Sequence, residues 1–309
     1  MWRLMTELRF DGRVAVITGA GRGLGRAYAQ QLAARGAKVI VNDPGGSLKG
    51  EGVDASTSEA VVKEIKAAGG EATANADSVA TPEGGKAIIQ SAMDHYGRID
   101  IVVHNAGIMR RGSLQELSYE DFETVLDVHL RGAFHVVRPA FPLMCKAKYG
   151  RMVLASSING IYGNANVVNY SAAKGGIVAL SHVAAIEGAA YNIKSNCILP
   201  GAVTRMAEGL DTSAHPLMTP EMVAPVVGWL SHESCSITGE LISAVAGRVS
   251  RAYVAESRGA FRPSWTMEAV AEEIGTIRDT SHSVIFQVVP GAQIEHLRYG
   301  FAMAKPAGK

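Results

Sequence analysis

The sequence has little of what marks a nucleic-acid-binding protein. Its 30 basic residues nearly balance its 29 acidic ones, and aromatic residues make up only 6% of the 309 positions. A net charge of +1 provides no basic surface for a phosphate backbone, and so few aromatic side chains do not favour a base-stacking platform. We therefore expect neither nucleic acid nor an anionic membrane as a partner.

Cysteine is also scarce: the three residues Cys145, Cys197 and Cys235 lie far apart. No two have the spacing of metal ligands, and an odd, scattered set is not a disulfide framework, which is typical of a reducing compartment. The start, MWRLMTELRFDG, contains no apolar core of a signal peptide, and no apolar run reaches the roughly 18 residues of a spanning helix. The end, KPAGK, differs from a peroxisomal S-K-L signal. We expect a soluble, cytoplasmic protein without a bound metal.

Apolar residues, by contrast, are abundant at 47% and are organised in short runs. Seven β-branched or apolar runs alternate with helical patterns: VAVIT, KVIVND, EATANAD, IDIVVHNAG, RMVLASS, KSNCILPG and GELISAVAG. Continuous apolar strands separated by amphipathic helices indicate a parallel sheet that is covered on both faces. The pattern predicts an α/β, doubly wound Rossmann fold with a seven-stranded, mainly parallel sheet and a ligand crevice at the carboxyl ends of its strands.

The alternation stops after Gly247, and a chain of this length commonly exceeds one domain. We predict a Rossmann domain over residues 1–247 and a C-terminal extension over 248–309 that packs on the domain or on a neighbouring subunit. The extension contains one predicted helix, TMEAVAEEIGTIRD. Four arginines, at positions 248, 251, 258 and 262, could bind substrate phosphates or form a solvated surface or subunit contact; the sequence leaves these alternatives open.

The first strand leads into a glycine-rich turn, TGAGRGLG, and then a helix that starts near Leu24. Gly19, Gly23 and Gly25 permit a tight turn, so that a pyrophosphate can approach the N-terminus of the helix.

Two charged residues decide which dinucleotide fits this turn. Asp43 ends the second strand, where a carboxylate accepts hydrogen bonds from ribose hydroxyls, whereas Arg22 in the turn could favour a phosphorylated ribose. A carboxylate repels a 2′-phosphate about 4 Å away by on the order of several kcal/mol. This repulsion exceeds the stabilisation that contact with an exposed arginine provides. The sequence therefore predicts NAD.

A second motif, YSAAK, places Tyr170 and Lys174 four residues apart, on one face of a helix. A nearby ammonium lowers the pKa of a phenol, so that the pair could move the proton that accompanies hydride transfer. Ser157 follows the strand RMVLAS, whose carboxyl end should open into the same crevice. Its hydroxyl could stabilise charge on a substrate oxygen.

The motifs TGAGRGLG, HNAG, Ser157, YSAAK and PGAVT, in this order, resemble the short-chain dehydrogenase/reductase family over about the first 245 residues. The resemblance implies that Tyr170 is the catalytic acid/base and that Ser157 stabilises the substrate oxygen. It implies that Lys174 lowers the tyrosine pKa and binds the nicotinamide ribose. It further implies cofactor contacts, from the adenine to the nicotinamide, by Asp77, Asn105, Ala106, Gly107, Pro200, Gly201 and Thr204.

A narrower resemblance, carried by GRAYAQQLAARGAKVIVNDPGG, GIYGNANVVNYSAAKGG and WLSHESC, is to the dehydrogenase part of the multifunctional β-oxidation enzymes. It extends to the long loop Pro44–Glu59, which we expect near the adenosine end of the dinucleotide. It implies NAD-dependent oxidation of (3R)-hydroxyacyl-CoA to 3-ketoacyl-CoA, with 17β-hydroxysteroids as alternative substrates. It also implies a homodimer or homotetramer and a separate enoyl-CoA hydratase in the same pathway.

A non-catalytic NAD-binding module is a rival from another class. It is disfavoured because binding alone does not require Ser157, Tyr170 and Lys174 together.

Two histidines depart from the family pattern. His129 lies where many members have an asparagine that holds a relay water, although the narrower group resembles this chain in having histidine there. Its imidazole could order a water or pass a proton as a catalytic residue, or be a satisfied core residue, and both interpretations stay open. His104 lies where asparagine is commoner, and we interpret it as structural. The segment from Ala202 to about Pro220 is expected to cover the substrate cleft.

Overall fold

The computed structural model describes residues 7–205 and 216–304, and the chain divides into two compact units, Met1–Arg251 and Ala252–Lys309. The first unit is built on a sheet whose strands lie in the order β3-β2-β1-β4-β5-β6-β7-β8. Strands β1 to β7 run parallel. The eight strands are β1 (Val14–Thr18), β2 (Lys38–Asn42), β3 (Glu71–Asn75), β4 (Ile101–His104), β5 (Gly150–Ala155), β6 (Ile193–Gly201), β7 (Leu241–Val245) and β8 (Arg248–Ala252).

Helices connect the parallel strands, as crossover connections require. They are α1 (Gly23–Ala34), α2 (Ser56–Ala67), α3 (Pro82–Tyr96), α4 (Tyr119–Leu126), α5 (Gly132–Ala147), α6 (Asn159–Tyr162), α7 (Val168–Gly188) and α8 (Ala224–Ser231). A π-helical turn, Asp127–Arg131, joins α4 to α5. Strands β1, β4 and β5 are buried along their whole length, which explains their continuous apolar sequence.

The α/β doubly wound architecture is confirmed, but the prediction of seven strands is wrong by one. Strand β8 follows β7 after a two-residue turn in which Ala246 and Gly247 have φ values of 49° and 80°. A turn with two positive φ angles joins antiparallel strands in a hairpin. This strand was not predicted, because its sequence RVSRA is mostly polar and its residues are exposed or half-buried.

The second unit contains α9 (Met267–Ile277), which lies within the predicted helix, and α10 (Val288–Ala304), which the sequence did not reveal. The helical path of α10 is interrupted at Val289 and Gly291, on either side of Pro290, and this interruption obscures its apolar period. Within the described ranges, no helix is long and apolar enough to cross a bilayer.

Candidate active site

A cleft of about 310 Å³ lies at the carboxyl ends of β2, β1, β4, β5 and β6. The strand order reverses between β1 and β4, and doubly wound folds bind ligands at such a point. Most residues that the sequence singles out line this cleft: Gly19, Gly23, Leu24, Asp43, Asn105, Ala106, Gly107, His129, Tyr170, Lys174, Pro200 and Thr204. The fold therefore brings the glycine turn and the Tyr–Lys pair to one site.

The glycine turn packs closely against the segment after β4. Gly19 has a φ of +63°, and a Cβ atom there would lie 2.7 Å from the Cα of Ala106. Gly25, in α1, lies under the turn, where a Cβ atom would lie 2.1 Å from the carbonyl oxygen of Gly19. Gly201 ends β6 and packs against Val245 beside the cleft. These contacts leave room for a ligand only above the turn.

The carboxylate of Asp43 is held by main-chain donors at the mouth of the turn. One oxygen accepts a hydrogen bond from the N–H of Gly21 at 2.9 Å, and the other accepts from Gly45 at 2.7 Å. Each carboxylate oxygen has a second lone pair that can accept from a ribose hydroxyl. Asp43 thus presents a fixed negative charge to the adenosine end of the cleft.

The exposed side chain of Arg22 lies toward the start of α2. Its guanidinium donates to the hydroxyl of Thr57 at 3.1 Å. The pKa of the Asp54 carboxyl is lowered mainly by the hydroxyl of Ser56 and, to a smaller extent, by the charge of Arg22. Arg22 lines the cleft, as Asp43 does, while its guanidinium donates to Thr57.

Asp77, the expected adenine contact, is exposed at the rim. Its carboxylate accepts from the amide of Asn75 at 2.8 Å, and its main-chain carbonyl accepts from Asn42 at 2.8 Å. The next two residues, Ser78 and Val79, line the cleft. The structure thus places the segment, rather than the side chain of Asp77 itself, on the cleft wall.

Tyr170 and Lys174 lie on the first turns of α7, next to the end of β5. The Nζ atom of Lys174 lies 5.6 Å from the centre of the Tyr170 ring and donates to the carbonyl of Ala155. The Ser156 hydroxyl donates to the carbonyl of Lys174 at 2.7 Å, which fixes the helix against the strand. The Ser157 hydroxyl interacts with the Tyr170 phenol and accepts from the N–H of Asn159. Serine, tyrosine and lysine are thereby brought together.

Burial moves the pKa values of this group in opposite directions. It raises the pKa of Tyr170, and the hydrogen bond with Ser157 offsets only part of that rise. It lowers the pKa of Lys174 to about 7, because a buried ammonium loses hydration. The pKa of Tyr170 is thus raised by burial, rather than lowered by the lysine as we expected.

His129 lies in the π-helical turn and lines the cleft. Its Nε2 atom lies 3.0 Å from the N–H and 2.9 Å from the carbonyl oxygen of Ile108, and its ring meets the Tyr170 ring edge-on at 5.2 Å. The ring fits because Gly107 has no side chain: a Cβ atom there would lie 2.4 Å from Cε1. Burial holds the pKa of His129 well below its usual range, so the imidazole is neutral.

His104 fixes the main chain that carries His129. The Thr18 hydroxyl accepts from the N–H groups of Asn105 and Ala106, so its own proton points to Nδ1 of His104 at 3.1 Å. Nε2–H of His104 must then donate to the carbonyl of His129, which lies 3.1 Å away. Burial lowers the pKa of His104 to about 3, which keeps this tautomer neutral.

The remaining cleft-lining residues were not named individually from the sequence, although the loop after β2 was expected near the adenosine end of the dinucleotide. Leu48, Gly50 and Val53, from the loop after β2, line the cleft, as do Ile108 and Val128. The unusual length of the loop was the available signal. Residues 206–215, the middle of the segment that we expected to cover the substrate cleft, lie outside the described residues.

The arginines near the C-terminus are at least partly engaged by acids. Arg262 donates to Glu273 at 2.8 Å and to Glu272 at 3.2 Å, and Arg251 lies 3.3 Å from Glu240. These pairs favour the structural surface over the phosphate-binding alternative. Across the described part of the chain, no group of three or more histidine, cysteine or acidic residues could hold a metal ion.

Comparison with known families adds an independent finding. Residues 13–214 match the family model described as short chain dehydrogenase. The match covers the sheet from β1 to β6 and includes every motif that lines the cleft.

Individual relatives extend the match. The chain is 46% identical over 281 residues to the peroxisomal multifunctional enzyme type 2 of Drosophila melanogaster, covering 89% of this chain and 46% of that protein. The solved structure of the full-length Drosophila enzyme matches with a TM-score of 0.78 at 38% identity, over 96% of this chain and 50% of that one. A short-chain type dehydrogenase/reductase of Mycobacterium tuberculosis is 44% identical, over 88% of this chain and 96% of that protein. The chain thus spans about half the length of the multifunctional enzyme.

Proposed function

The chain belongs to the short-chain dehydrogenase family of oxidoreductases, and we propose that it oxidises (3R)-hydroxyacyl-CoA to 3-ketoacyl-CoA with NAD. The observation that carries the proposal is that Tyr170 and Lys174 line a cleft that also contains the glycine turn and Asp43, with the Ser157 hydroxyl against the Tyr170 phenol. The substrate class rests on the resemblance of the motifs to the multifunctional β-oxidation enzymes, and the Drosophila relative is named as a peroxisomal multifunctional enzyme.

The side chains suit removal of a proton from a secondary alcohol. Bound NAD supplies the acceptor for the hydride that leaves the β-carbon. The phenolate of Tyr170 takes the hydroxyl proton as the carbon–oxygen double bond forms. The Ser157 hydroxyl would donate to the substrate oxygen, and the Lys174 ammonium would favour the phenolate and hold the nicotinamide ribose by a hydrogen bond. His129 supports the tyrosine ring from its edge and, in our proposal, contributes to catalysis through that contact.

The choice of NAD rests on Asp43. Its charge is fixed by Gly21 and Gly45, whereas the Arg22 guanidinium is directed to Thr57. A 2′-phosphate about 4 Å from the carboxylate would be opposed by about 4 kcal/mol per unit charge at an intermediate dielectric constant. We expect a higher kcat/KM with NAD than with NADP; the reverse order would overturn this part of the proposal.

The substrate class is tested with both stereoisomers of a 3-hydroxyacyl-CoA and with a 17β-hydroxysteroid, with NADH absorbance as the readout. We expect turnover of the (3R)-thioester to exceed that of the other two compounds. Activity confined to the steroid, or preference for the (3S)-isomer, would contradict the proposal. Hydration of an enoyl-CoA yields this substrate, so a hydratase must act in the preceding step.

We also propose that the chain forms a homodimer or homotetramer. Helices α5 and α7 expose apolar side chains, among them Phe134, Val183 and Ile186. Light scattering after gel filtration should give twice or four times the chain mass of 32.5 kDa; a monomer would rule this out.

The cytoplasmic location that the sequence predicts remains a prediction, since the word peroxisomal belongs to the relative's name. Imaging of the tagged full chain tests it.

A further inference from the structure

The loop from Pro44 to Ala55, here the cofactor loop, crosses the cleft and docks on its far side. The carbonyl of Leu48 accepts from the N–H of Met109 at 2.9 Å, and a Cβ atom on Gly50 would touch Ile108. Strand β1 lies between β2, where the loop starts, and β4, which leads into the docking segment. The loop therefore passes over the end of β1 and over the glycine turn that follows it.

Arg110 fastens this docked loop with its side chain. Its Nε atom donates to the carbonyl of Lys49 at 3.1 Å, and Nη1 donates to the carboxylate of Asp121 in α4 at 2.8 Å. Its Nη2 atom also lies 4.0 Å from the carboxylate of Glu51. The side chain is mostly buried, and its hydrogen bond is the largest cause of the lowered pKa of Asp121. One guanidinium thus joins the cofactor loop to α4.

The same residues are connected to Tyr170. The buried amide of Asn169 donates to the main-chain carbonyls of Arg110 at 3.0 Å and of Asp121 at 3.1 Å. The amide oxygen of Asn169 accepts from the N–H of Tyr170 at 2.8 Å. A continuous set of hydrogen bonds therefore runs from the cofactor loop, through Arg110, to the main chain of Tyr170.

We propose that Arg110 is a positioning residue that latches the cofactor loop over bound dinucleotide and sets the rate at which the dinucleotide leaves. The inference rests on the proposed NAD-dependent function. A dinucleotide between the glycine turn and the loop leaves only after the bonds at Leu48 and Lys49 break. Opening of such loops frequently limits turnover by limiting product release.

The test uses Arg110→Met, which removes the donors but keeps an unbranched apolar stem, and Arg110→Lys, which keeps the positive charge. Arg138→Met, on the exposed surface of α5, is the matched control. Stopped-flow displacement of NADH gives its dissociation rate, and steady-state assays give kcat and the KM for NAD. Thermal unfolding shows whether each variant is folded.

We expect NADH to dissociate about tenfold faster from Arg110→Met, with an increased KM for NAD, because a buried charge-assisted hydrogen bond is lost. Arg110→Lys should lie between Arg110→Met and the wild type, and Arg138→Met should equal the wild type. Asp121→Asn, which leaves the bond to Lys49, should alter dissociation less than Arg110→Met does.

A merely structural role for Arg110 would lower the active fraction and the melting temperature but leave the NADH dissociation rate unchanged, and that result would overturn the inference. If Arg110→Met does not fold, Arg110→Lys decides: an unchanged dissociation rate sinks the inference. Failure of the wild-type protein to bind NADH would instead contradict the proposed function, so the two failures are distinguishable.

Discussion

At the scale of single residues, burial sets the proton affinities of the site. It raises the pKa of Tyr170 and lowers that of Lys174 to about 7. An oxidation that uses the phenolate must therefore offset the cost of ionising a buried phenol. The hydroxyl of Ser157 offsets part of that cost. In the function that we propose, the cation of Lys174, 5.6 Å from the ring centre, offsets more of it.

Replacement of Tyr170 by phenylalanine should abolish turnover and leave dinucleotide binding intact. We expect kcat to fall about 1,000-fold or more, because general acid/base catalysis is lost while the ring, and its contact with His129, is kept. NADH fluorescence titration should give an unchanged Kd. Tyr162→Phe, which removes an exposed phenol on α6, should behave as the wild type. Undiminished turnover in Tyr170→Phe would refute the proposed chemistry and revive the non-catalytic module.

Gly107 is a sharp test of the role of His129. A methyl group there would meet the imidazole at 2.4 Å, so Gly107→Ala must displace the ring that supports Tyr170. We expect the free energy of unfolding to fall by about 1–3 kcal/mol, and kcat/KM to fall about 10- to 100-fold through misplacement of the tyrosine.

The control for this change is Gly275→Ala in α9, where a Cβ atom would meet nothing within 4 Å. It should leave activity unchanged and stability equal or slightly higher, because alanine suits a helix interior. An active, fully stable Gly107→Ala protein would show that the ring position does not matter.

At the scale of secondary-structure elements, the structure shows why some strands and helices could be predicted from the sequence and others could not. Strands β1 and β5 and helix α7 are predictable because their apolar period and the motifs TGAGRGLG and YSAAK agree. The strand β8, by contrast, is polar and joins by a hairpin without the usual Asn-Gly signal. The path of the cofactor loop was not predictable, because it depends on contacts with Met109 and Arg110, more than fifty residues away along the chain.

The joining of β5 to its neighbours depends on Arg151, which is almost fully buried and forms no ion pair with a carboxylate of residues 7–205 or 216–304. Its guanidinium donates to four main-chain carbonyls, of Gly150, Asn192, His232 and Glu233. Arg151→Met would remove the guanidinium donor from all four carbonyls, although those of Asn192 and His232 would keep a main-chain donor. We expect the free energy of unfolding to fall by about 3 kcal/mol in chemical denaturation.

Arg26→Met provides the comparison, because it removes a half-exposed arginine that pairs with Glu64. Such a pair contributes less than about 1 kcal/mol. Equal losses for the two variants would show that the buried guanidinium has no special role in holding β5.

At the scale of the whole molecule, residues far apart along the chain meet at the reversal of strand order between β1 and β4. One series of hydrogen bonds joins Thr18 at the end of β1 to His104 at the end of β4, and His104 to His129 in the π-helical turn. The sequence singled out His104 and His129 but not Thr18, and it could not show how the three are connected, because that depends on their hydrogen-bond partners in the fold. Their burial couples the integrity of the site to the pH.

This coupling predicts that the free energy of unfolding decreases as the pH falls below about 6.5. Burial lowers the pKa of His104 from 6.5 to about 3, and it lowers that of His129 as well. Between these values the unfolded chain binds protons that the folded protein does not, so acid favours unfolding. Each such histidine contributes a slope of about 1.4 kcal/mol per pH unit. Above pH 7 both states hold neutral imidazoles, and these two residues add no pH dependence.

Chemical denaturation at several values from pH 7 to pH 5 measures this slope. The variant His104→Asn, which keeps an amide at the end of β4, should reduce the slope by about one proton relative to the wild type, whatever its stability at pH 7. If His104→Asn and the wild type lose stability in parallel as the pH falls, then His104 must be protonated in the folded protein. A protonated His104 carries a proton on Nδ1, so it could not accept the hydrogen bond from the Thr18 hydroxyl.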